Sequence, residues 1–346
     1  MPSLIAAPPW WLRLRWRLEH GLLAAAEFVI PCLPLKLVRT MAAALGTVAW
    51  ALDARGRRVI RENLRIALAG THDEAARLRI ERENYRVFAR TFLELFWGRR
   101  LRPEDWDQYF VLHCDTPAAQ AAATGGRCIF ATAHCGNFEW LSLGRALRFG
   151  PSMIIAQDFK NPPLTQIFRR LRSGGGQFII PQEGAMLRLF RHLKKGGSAA
   201  ALVDLNTRPD QSATVIRRFG CWSSISVLHV ALAARTGLPL VPALALPLPD
   251  GRWQLRFMDP VSVNPDTSYQ EVAQQCWDVM ESVLRKYPAY WMWLYKHWRY
   301  LAPDADPALY PAYANRSRAF DSLYAQSVTL DAAMHKESFS NDKTII

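Results

Sequence analysis

The chain has 346 residues, half of them hydrophobic, so it is long and apolar enough for a substantial core in one large or two small domains. Its formal charge of +13 indicates acidic partners and leaves nucleic acid, an anionic membrane and an acidic protein open. The 6 cysteines show no Cys-x-x-Cys spacing, which disfavours a zinc site or a disulfide scaffold and favours a reducing compartment.

The first predicted elements are apolar helices. Tryptophans interleave with arginines between Trp10 and Arg17, a mixture typical of a membrane surface that would also suit single-stranded nucleic acid. Residues 22–35 and 41–52 are apolar but interrupted or short. We therefore predict helices over residues 8–52 that lie in, or dip into, one leaflet, with an ordinary helical hairpin of the core as the alternative.

A basic cluster and a long capped helix follow. Arginines recur between Arg55 and Arg65, which suits anionic lipid headgroups on the cytoplasmic side or else a solvated helix face. Thr71 and Glu74 form a Thr-x-x-Glu capping box, and apolar residues then recur at helical spacing through Trp97. We predict a core helix in this stretch.

From residue 127 onward, short apolar runs alternate with helical patterns. The predicted strands are residues 128–133, 153–157, 178–181, 199–203, 215–219, 240–246 and 253–258. The predicted helices are residues 137–147, 164–172, 185–195, 224–235 and 268–287. This alternation predicts an α/β fold with a mostly parallel central sheet flanked by helices.

Three regions are expected along the chain. Residues 1–70 form a membrane-associated helical region, and residues 71–301 form the α/β domain. That domain is expected to include an aromatic-rich C-terminal helix, in the segment from Tyr287 to Tyr300. Residues 302–346 are rich in Pro, Ala, Asp and Ser with weak periodicity, which predicts a poorly ordered tail.

The segment from Arg127 to Trp140 holds the candidate catalytic pair. His134 lies where the strand at 128–133 gives way to a helix, at the edge of an α/β sheet where ligands bind. Glu139 follows in the first helical turn, where a histidine in the preceding loop can reach it. Such a pair activates a hydroxyl, because the imidazole accepts its proton while the carboxylate fixes the tautomer and stabilises the cation. The alternative is an ordinary loop histidine beside a first-turn acid that the helix dipole favours.

Two other chemistries were possible for the same segment. Cys135 could be a nucleophile, but a thiol adjacent in sequence to its base usually points away from it, so a small residue in a tight turn is the better interpretation. His134, Glu139 and the distant His229 could bind a metal ion, and metal binding is kept as an alternative.

Several blocks of the sequence carry a family resemblance. His134-Cys-Gly-Asn-Phe-Glu139 resembles the His-x4-Asp/Glu signature of the glycerolipid acyltransferase superfamily, and specifically of the late acyltransferases of lipid A biosynthesis, the lauroyl and myristoyl transferases. Further blocks between residues 20 and 301 are similar to this family and occur in the expected order: Arg61-Glu-Asn-Leu64, Asn161-Pro-Pro-Leu164 with Arg172, the strand ending at Asp204, Phe219-Gly220, the stretch from Arg235 to Pro242, and the stretch from Tyr287 to Trp298.

The resemblance implies an O-acyltransferase at the cytoplasmic face of the bacterial inner membrane. It would move a fatty acyl chain from acyl carrier protein or acyl-CoA to a hydroxyl of a lipid A precursor, on an anionic membrane surface and without nucleic acid, metal or cofactor. The resemblance implies His134 as catalytic base with Glu139 as its partner, and Asn137, Arg172 and Asp204 as substrate-binding residues.

The sequence departs from the family pattern after Phe219-Gly220, where the usual Thr/Pro/Gly-rich helix entry is absent. The acceptor therefore stays open, and a lysophospholipid, another glycolipid or an amino-acid lipid is the alternative. A non-catalytic protein that binds membrane or nucleic acid is the second alternative.

Overall fold

The computed structural model describes residues 9–125, 127–263 and 268–328. The α-helices α1 to α11 are, in chain order, Trp10–Val29, Leu35–Leu52, Ala54–Leu68, Glu74–Trp97, Trp106–Tyr109, Pro117–Gly125, Phe138–Phe149, Pro162–Arg172, Ala185–Lys194, Leu228–Thr236 and Tyr269–Leu284. Residues 318–328 are also helical. The helix predicted through Trp97 is present as α4, although Asp73 rather than Thr71 caps it, because the Asp73 side chain accepts from the Ala76 N–H.

The strands form a sheet and a separate hairpin. In chain order, β1 to β9 are Phe110–Cys114, Ile129–Thr132, Met153–Ile155, Phe178–Ile180, Ala199–Leu202, Ala213–Arg218, Cys221–Ser226, Leu240–Pro247 and Trp253–Phe257. Seven strands form one sheet in the order β1-β9-β8-β2-β5-β3-β4, in which only the β8–β9 pair is antiparallel. The predicted α/β fold with a mostly parallel sheet is confirmed.

Helices cover both faces of this sheet. Ile129 and Ala131 of β2 join one buried cluster with residues of α9, α10 and α11, whereas Phe130 joins the opposite cluster with Trp140 of α7. Because both faces are buried, β2 is a continuous apolar run rather than an alternating one.

The helix α2 packs against α4 along a narrow stripe and exposes the rest of its apolar surface. Val38, Ala42 and Gly46 are its buried residues, and a Cβ on Gly46 would lie 2.6 Å from the Arg86 Cα, so only glycine allows this approach. Exposed large apolar residues of α1 and α2 are Trp10, Trp11, Leu14, Leu18, Leu22, Phe28, Val29, Leu37, Met41, Leu45, Val48 and Leu52. By length and composition alone, α2 is also long and apolar enough to cross a membrane.

The structure corrects the helix predicted at residues 224–235. Cys221–Ser226 is a strand that pairs with β6, and the helix starts only at Leu228. Phe219 and Gly220 form the two-residue turn, with φ values of 47° and 89°. A two-residue turn with both φ values positive matches the twist of paired strands, so the chain reverses here before it becomes helical.

The aromatic segment from Tyr287 to Tyr300 is not a helix. After a short 3-10 turn at Pro288–Tyr290, it runs along the loop that carries His134, and the Met292 N–H donates to the His134 carbonyl at 2.9 Å. Its tryptophans are fully buried in the core. An extended chain allows all of them to be buried, whereas a regular helix at the surface would not.

The tail prediction is wrong for residues 302–328. Tyr310 and Phe320 are buried, and the Phe320 ring stacks on Tyr300 with 5.2 Å between centroids. Widely spaced aromatic residues thus pack this segment against the rest of the protein, although its composition indicated disorder. The rest of the predicted tail lies outside the described residues, and the boundary predicted at residue 70 stays a prediction.

Candidate active site

The register of β2 and β5 brings His134 and Asp204 together. The two strands are parallel neighbours with Thr132 opposite Leu202, and both polar residues lie two positions beyond their strands. The pairing continues one step further, since the Val203 N–H donates to the Thr132 carbonyl at 2.9 Å. Side chains that follow parallel neighbouring strands meet at the carboxyl edge of the sheet.

His134 and Asp204 form a hydrogen-bonded dyad. The distance between His134 Nδ1 and Asp204 Oδ1 is 2.8 Å, and the His134 backbone N–H donates to Asp204 Oδ2 at 2.9 Å. Because a carboxylate only accepts, Nδ1 carries the proton and Nε2 carries the lone pair of a base. Nε2 has no hydrogen-bond partner in the described part of the chain. His134 lines a small cleft with Asn84, Val87, Phe88, Thr91, Gly136, Phe138, Tyr290 and Met292.

Asp204 is fully buried and accepts a third hydrogen bond from the Trp291 indole N–H, at 2.9 Å from Oδ2. Burial alone would raise the pKa of its carboxyl group, but the charge and hydrogen bonds of His134, together with the Trp291 N–H, hold that pKa well below its usual range. Asp204 therefore stays ionised next to the imidazole. Its three hydrogen bonds all come from the protein's own donors, and its expected role in substrate binding stays a prediction.

Glu139 is not the partner of His134, which corrects the expected pair. Its carboxylate accepts from Arg172 Nε at 3.0 and 3.1 Å and from Arg172 Nη2 at 2.6 Å. No hydrogen bond or ion pair joins it to His134 across the described residues. The first turn of α7 directs Glu139 toward the C-terminal end of α8, where Arg172 lies, and not back to the loop.

Asn137 has a structural position and not the expected contact with substrate. It is fully buried as the N-cap of α7, where its Oδ1 accepts from the Trp140 N–H at 2.9 Å. Its Nδ2 donates to Glu94 Oε2 at 2.7 Å. Both polar ends of the side chain are thus used inside the protein.

The sequence analysis missed Glu94, a fully buried acid beneath the signature loop. Its carboxylate accepts from Arg39 at 2.6 Å, from Arg90 at 2.9 Å and from the Trp253 indole at 3.0 Å, in addition to Asn137. Glu94 thereby ties α2, α4 and β9 to the start of α7. The available signal was an acid between Leu93 and Leu95, on the apolar side of a predicted core helix.

Neither alternative chemistry has geometric support. Burial raises the pKa of the Cys135 thiol, and nearby Asp204 raises it further, so this side chain stays a neutral thiol. His229 is buried in α10, where desolvation lowers the pKa of its imidazole to about 4. Over residues 9–125, 127–263 and 268–328, no three His, Cys, Asp or Glu side chains are grouped closely enough to hold a metal ion.

Comparison with known proteins identifies the family. Residues 14–300 match the sequence model of the bacterial lipid A biosynthesis acyltransferases. Among solved structures, the chain is similar to the 1-acyl-sn-glycerophosphate (LPA) acyltransferase PlsC from Thermotoga maritima, with 16% identity, a TM-score of 0.37, and coverage of 73% of this chain and 99% of that chain. A search of curated proteins finds no match. Because the family match spans more than half of the sequence, the chain belongs to the bacterial lipid A biosynthesis acyltransferases and is an acyltransferase that acts on lipid.

Proposed function

We propose that the protein moves a fatty acyl chain from acyl carrier protein to a hydroxyl of a lipid A precursor, with His134 as general base and Asp204 as its partner. The observation that carries this proposal is the 2.8 Å contact between His134 Nδ1 and Asp204 Oδ1, which leaves Nε2 as an unbonded base on a cleft. Acyl-CoA is the alternative donor with the same thioester chemistry.

The dyad supports direct transfer without an acyl-enzyme. Nε2 of His134 takes the proton of the acceptor hydroxyl as its oxygen attacks the thioester carbonyl. The tetrahedral intermediate then collapses, the C–S bond breaks, and the thiolate takes the proton from the imidazolium. Asp204 stabilises that imidazolium throughout, as the acid of a catalytic triad does.

The oxyanion of the intermediate needs hydrogen-bond donors near His134. The Gly136 N–H does not serve, because it donates to the Tyr290 carbonyl at 2.8 Å. The N-terminal turn of α7 is better placed: its first residue, Phe138, packs edge-on against the His134 ring with 4.8 Å between centroids. Free N–H groups and the positive end of the helix dipole at such a turn stabilise developing negative charge.

The Glu139–Arg172 pair suits recognition of an acidic acceptor. Arg172 uses Nε and Nη2 on Glu139, whereas its Nη1 has no partner among residues of the described ranges. A guanidinium fixed along one edge can offer its remaining nitrogen to a phosphate or a sugar carboxylate. Glu139 then orients the cation and does not act on the histidine.

The exposed apolar faces of α1 and α2 support a position at the cytoplasmic face of the inner membrane. Their large apolar side chains are exposed and do not pack against the body of the protein. The chain also carries a net charge of +13, which favours contact with anionic lipid. A lipid acceptor would thus be taken from the surface on which the enzyme lies.

The test is transfer of a radiolabelled acyl chain from acyl carrier protein to a tetra-acylated, sugar-bearing lipid A precursor in detergent. We expect transfer by the wild type and loss of at least about 10²-fold in the His134→Ala variant. A matched control is His113→Ala, since His113 also lies beside an acid, 3.2 Å from Asp115, but is exposed on the edge strand β1. Transfer only to a lysophospholipid, glycolipid or amino-acid lipid would reject the lipid A acceptor, and full activity of the His134→Ala variant would reject the base.

A further inference from the structure

Trp291 lies directly behind the dyad. Its indole N–H donates to Asp204 Oδ2 at 2.9 Å, the same oxygen that accepts the His134 backbone N–H. Oδ1 is thereby left to the His134 ring. The three donors together fix the rotation of the carboxylate about its own axis.

The main chain places Trp291 beside the catalytic loop independently of this contact. Cys135 and Trp291 form an antiparallel bridge, with the Met292 N–H on the His134 carbonyl at 2.9 Å and the Gly136 N–H on the Tyr290 carbonyl at 2.8 Å. The segment therefore runs as a short added strand along the loop. The main chain at Trp291 cannot move relative to His134 without breaking these bonds.

Two rings stack on the Trp291 ring. The His297 imidazole stacks on it with 3.9 Å between centroids and 23° between planes, and Phe219 stacks on it at 5.3 Å and 20°. Trp291 is fully buried, so water is excluded from the indole N–H that donates to Asp204.

Phe219 occupies a backbone conformation that is unfavourable for its residue type. Its φ is 47° at the first turn position of the β6–β7 hairpin, where an L-residue with a Cβ is strained. The ring is nevertheless buried against Trp291 and Trp293. A strained residue persists when its surroundings over-determine it, and here the surroundings are the Trp291 stack.

Arg218, next to Phe219, fixes the main chain around Asp204. It is fully buried and donates to the carbonyl of Asp204 and, at 2.7 Å, to the carbonyl of His297. The hairpin thus reaches both the acid of the dyad and the stack that supports Trp291.

We propose that Trp291, braced by Phe219 and His297, is a positioning residue that sets the orientation of Asp204 and, through it, of the His134 base. This inference rests on the proposed function of the dyad. It predicts that the indole N–H, and not merely the bulk of the ring, is needed for full turnover.

The other ionisable groups around the dyad do not change charge near neutral pH. Burial lowers the pKa of the His297 imidazole to about 3, and burial raises the pKa values of the Cys135 thiol and the Tyr295 hydroxyl. Arg218 has a pKa that burial lowers to about 10 and stays cationic. These neighbouring groups therefore keep their protonation states between pH 5 and 8.

The experiment replaces Trp291 in two ways. Trp291→Phe removes the N–H and part of the ring, and Trp291→benzothienylalanine, introduced by a suppressor tRNA, removes only the N–H. We expect kcat for acyl transfer to fall about tenfold in both, with little change in KM, as for one hydrogen bond to a charged group. We also expect the NMR signal of the His134 Nδ1–H, observed in ¹⁵N-labelled histidine, to shift or broaden, because the Asp204 carboxylate that accepts this proton loses one of the donors that fix its rotation.

Trp293→Phe is the matched control. Trp293 is equally buried in the same segment, but its indole donates at 2.6 Å to the Pro288 carbonyl and not to Asp204. An unchanged kcat and an unchanged His134 Nδ1–H signal in the benzothienylalanine variant would overturn the proposal, as would equal losses in the Trp293→Phe variant. The NMR measurement needs no acceptor, so it tests the positioning role even if transfer to a lipid A precursor fails.

Discussion

Two acids lie beside the signature loop, and each accepts from a different side chain. Asp204 accepts from the His134 imidazole, whereas Glu139 accepts from the Arg172 guanidinium. In the proposed mechanism, Asp204 acts on the base, and Glu139 acts on the group that would hold the acceptor.

The Asp204→Asn variant tests whether Asp204 supports the His134 base. An amide cannot stabilise the imidazolium as a carboxylate does and can favour the wrong tautomer, so we expect kcat to fall about 10²- to 10⁴-fold. Steady-state kinetics measure this, with near-UV circular dichroism to verify the fold. A loss below threefold would mean that Asp204 does not serve His134.

Glu139→Gln should act differently. It weakens the hold on Arg172, so we expect KM for the acceptor to rise about tenfold while kcat for bound acceptor changes little, the order expected for a charged hydrogen bond. Arg172→Lys should raise KM similarly, since a lysine cannot bind Glu139 and an acidic group in the same planar arrangement. A pH profile shifted by Glu139→Gln, with KM unchanged, would restore Glu139 as partner of the histidine.

Buried His229 predicts a pH dependence of folding stability. Burial lowers its pKa to about 4 from the unfolded value of 6.5, so the unfolded chain binds a proton below that value and the folded chain does not. Stability is then fully present above pH 6.5 and is lost toward pH 4, at up to about 1.4 kcal/mol per pH unit. Urea unfolding at several pH values should show a shallower loss in His229→Leu; equal slopes would contradict a neutral buried imidazole.

At the scale of elements, the close packing of α2 on α4 depends on Gly46. The Gly46→Ala substitution places a Cβ 2.6 Å from the Arg86 Cα, so the helices must separate, and we expect a loss of about 1–3 kcal/mol in unfolding free energy. The matched control is Gly21→Ala in α1, where no atom lies within 4 Å of the added Cβ and stability should stay equal or rise. Thermal melting in detergent distinguishes them, and equal melting temperatures would contradict the close approach.

Glu94 links the interface between α2 and α4 to the candidate site. By accepting from Arg39 of α2 and from Asn137 at the start of α7, it connects a helix with an exposed apolar face to the loop that carries His134. Displacing α2 would leave a buried carboxylate short of a partner, which is costly in a low-dielectric interior. Helix α2 is thus joined to the loop of the candidate base as well as presenting an apolar surface.

At the scale of the whole molecule, the apolar surface of α1 and α2 predicts binding to lipid. Leu18 is 66% exposed, and its burial in a bilayer interface contributes about 1.5–3 kcal/mol. We expect Leu18→Ser to weaken binding to anionic vesicles about tenfold in a flotation assay. The control is Leu309→Ser, a leucine that is 63% exposed outside these helices. Equal weakening by both substitutions would contradict a membrane face formed by α1 and α2.

The sequence by itself determined the strands that end at the site and the position of His134. Runs such as residues 129–132 and 199–202 pack against helices on both faces, so their apolar composition is a local signal that is visible in one sequence. The register that sets Asp204 opposite His134 is a property of two strands separated by many residues, and only the tertiary structure decided it. Glu139 is nearer to His134 in sequence, but it does not contact the histidine because the start of α7 directs it toward Arg172.

The tertiary structure also decided the conformation of the aromatic segment. Trp291 and its neighbours have a composition that fits a helix as well as a buried extended chain, and periodicity does not separate these for short apolar runs. The choice came from main-chain hydrogen bonds to the loop of His134 and from space in the core for stacked rings. The local sequence pattern therefore indicated which residues could be catalytic, whereas long-range packing determined which of them are in contact.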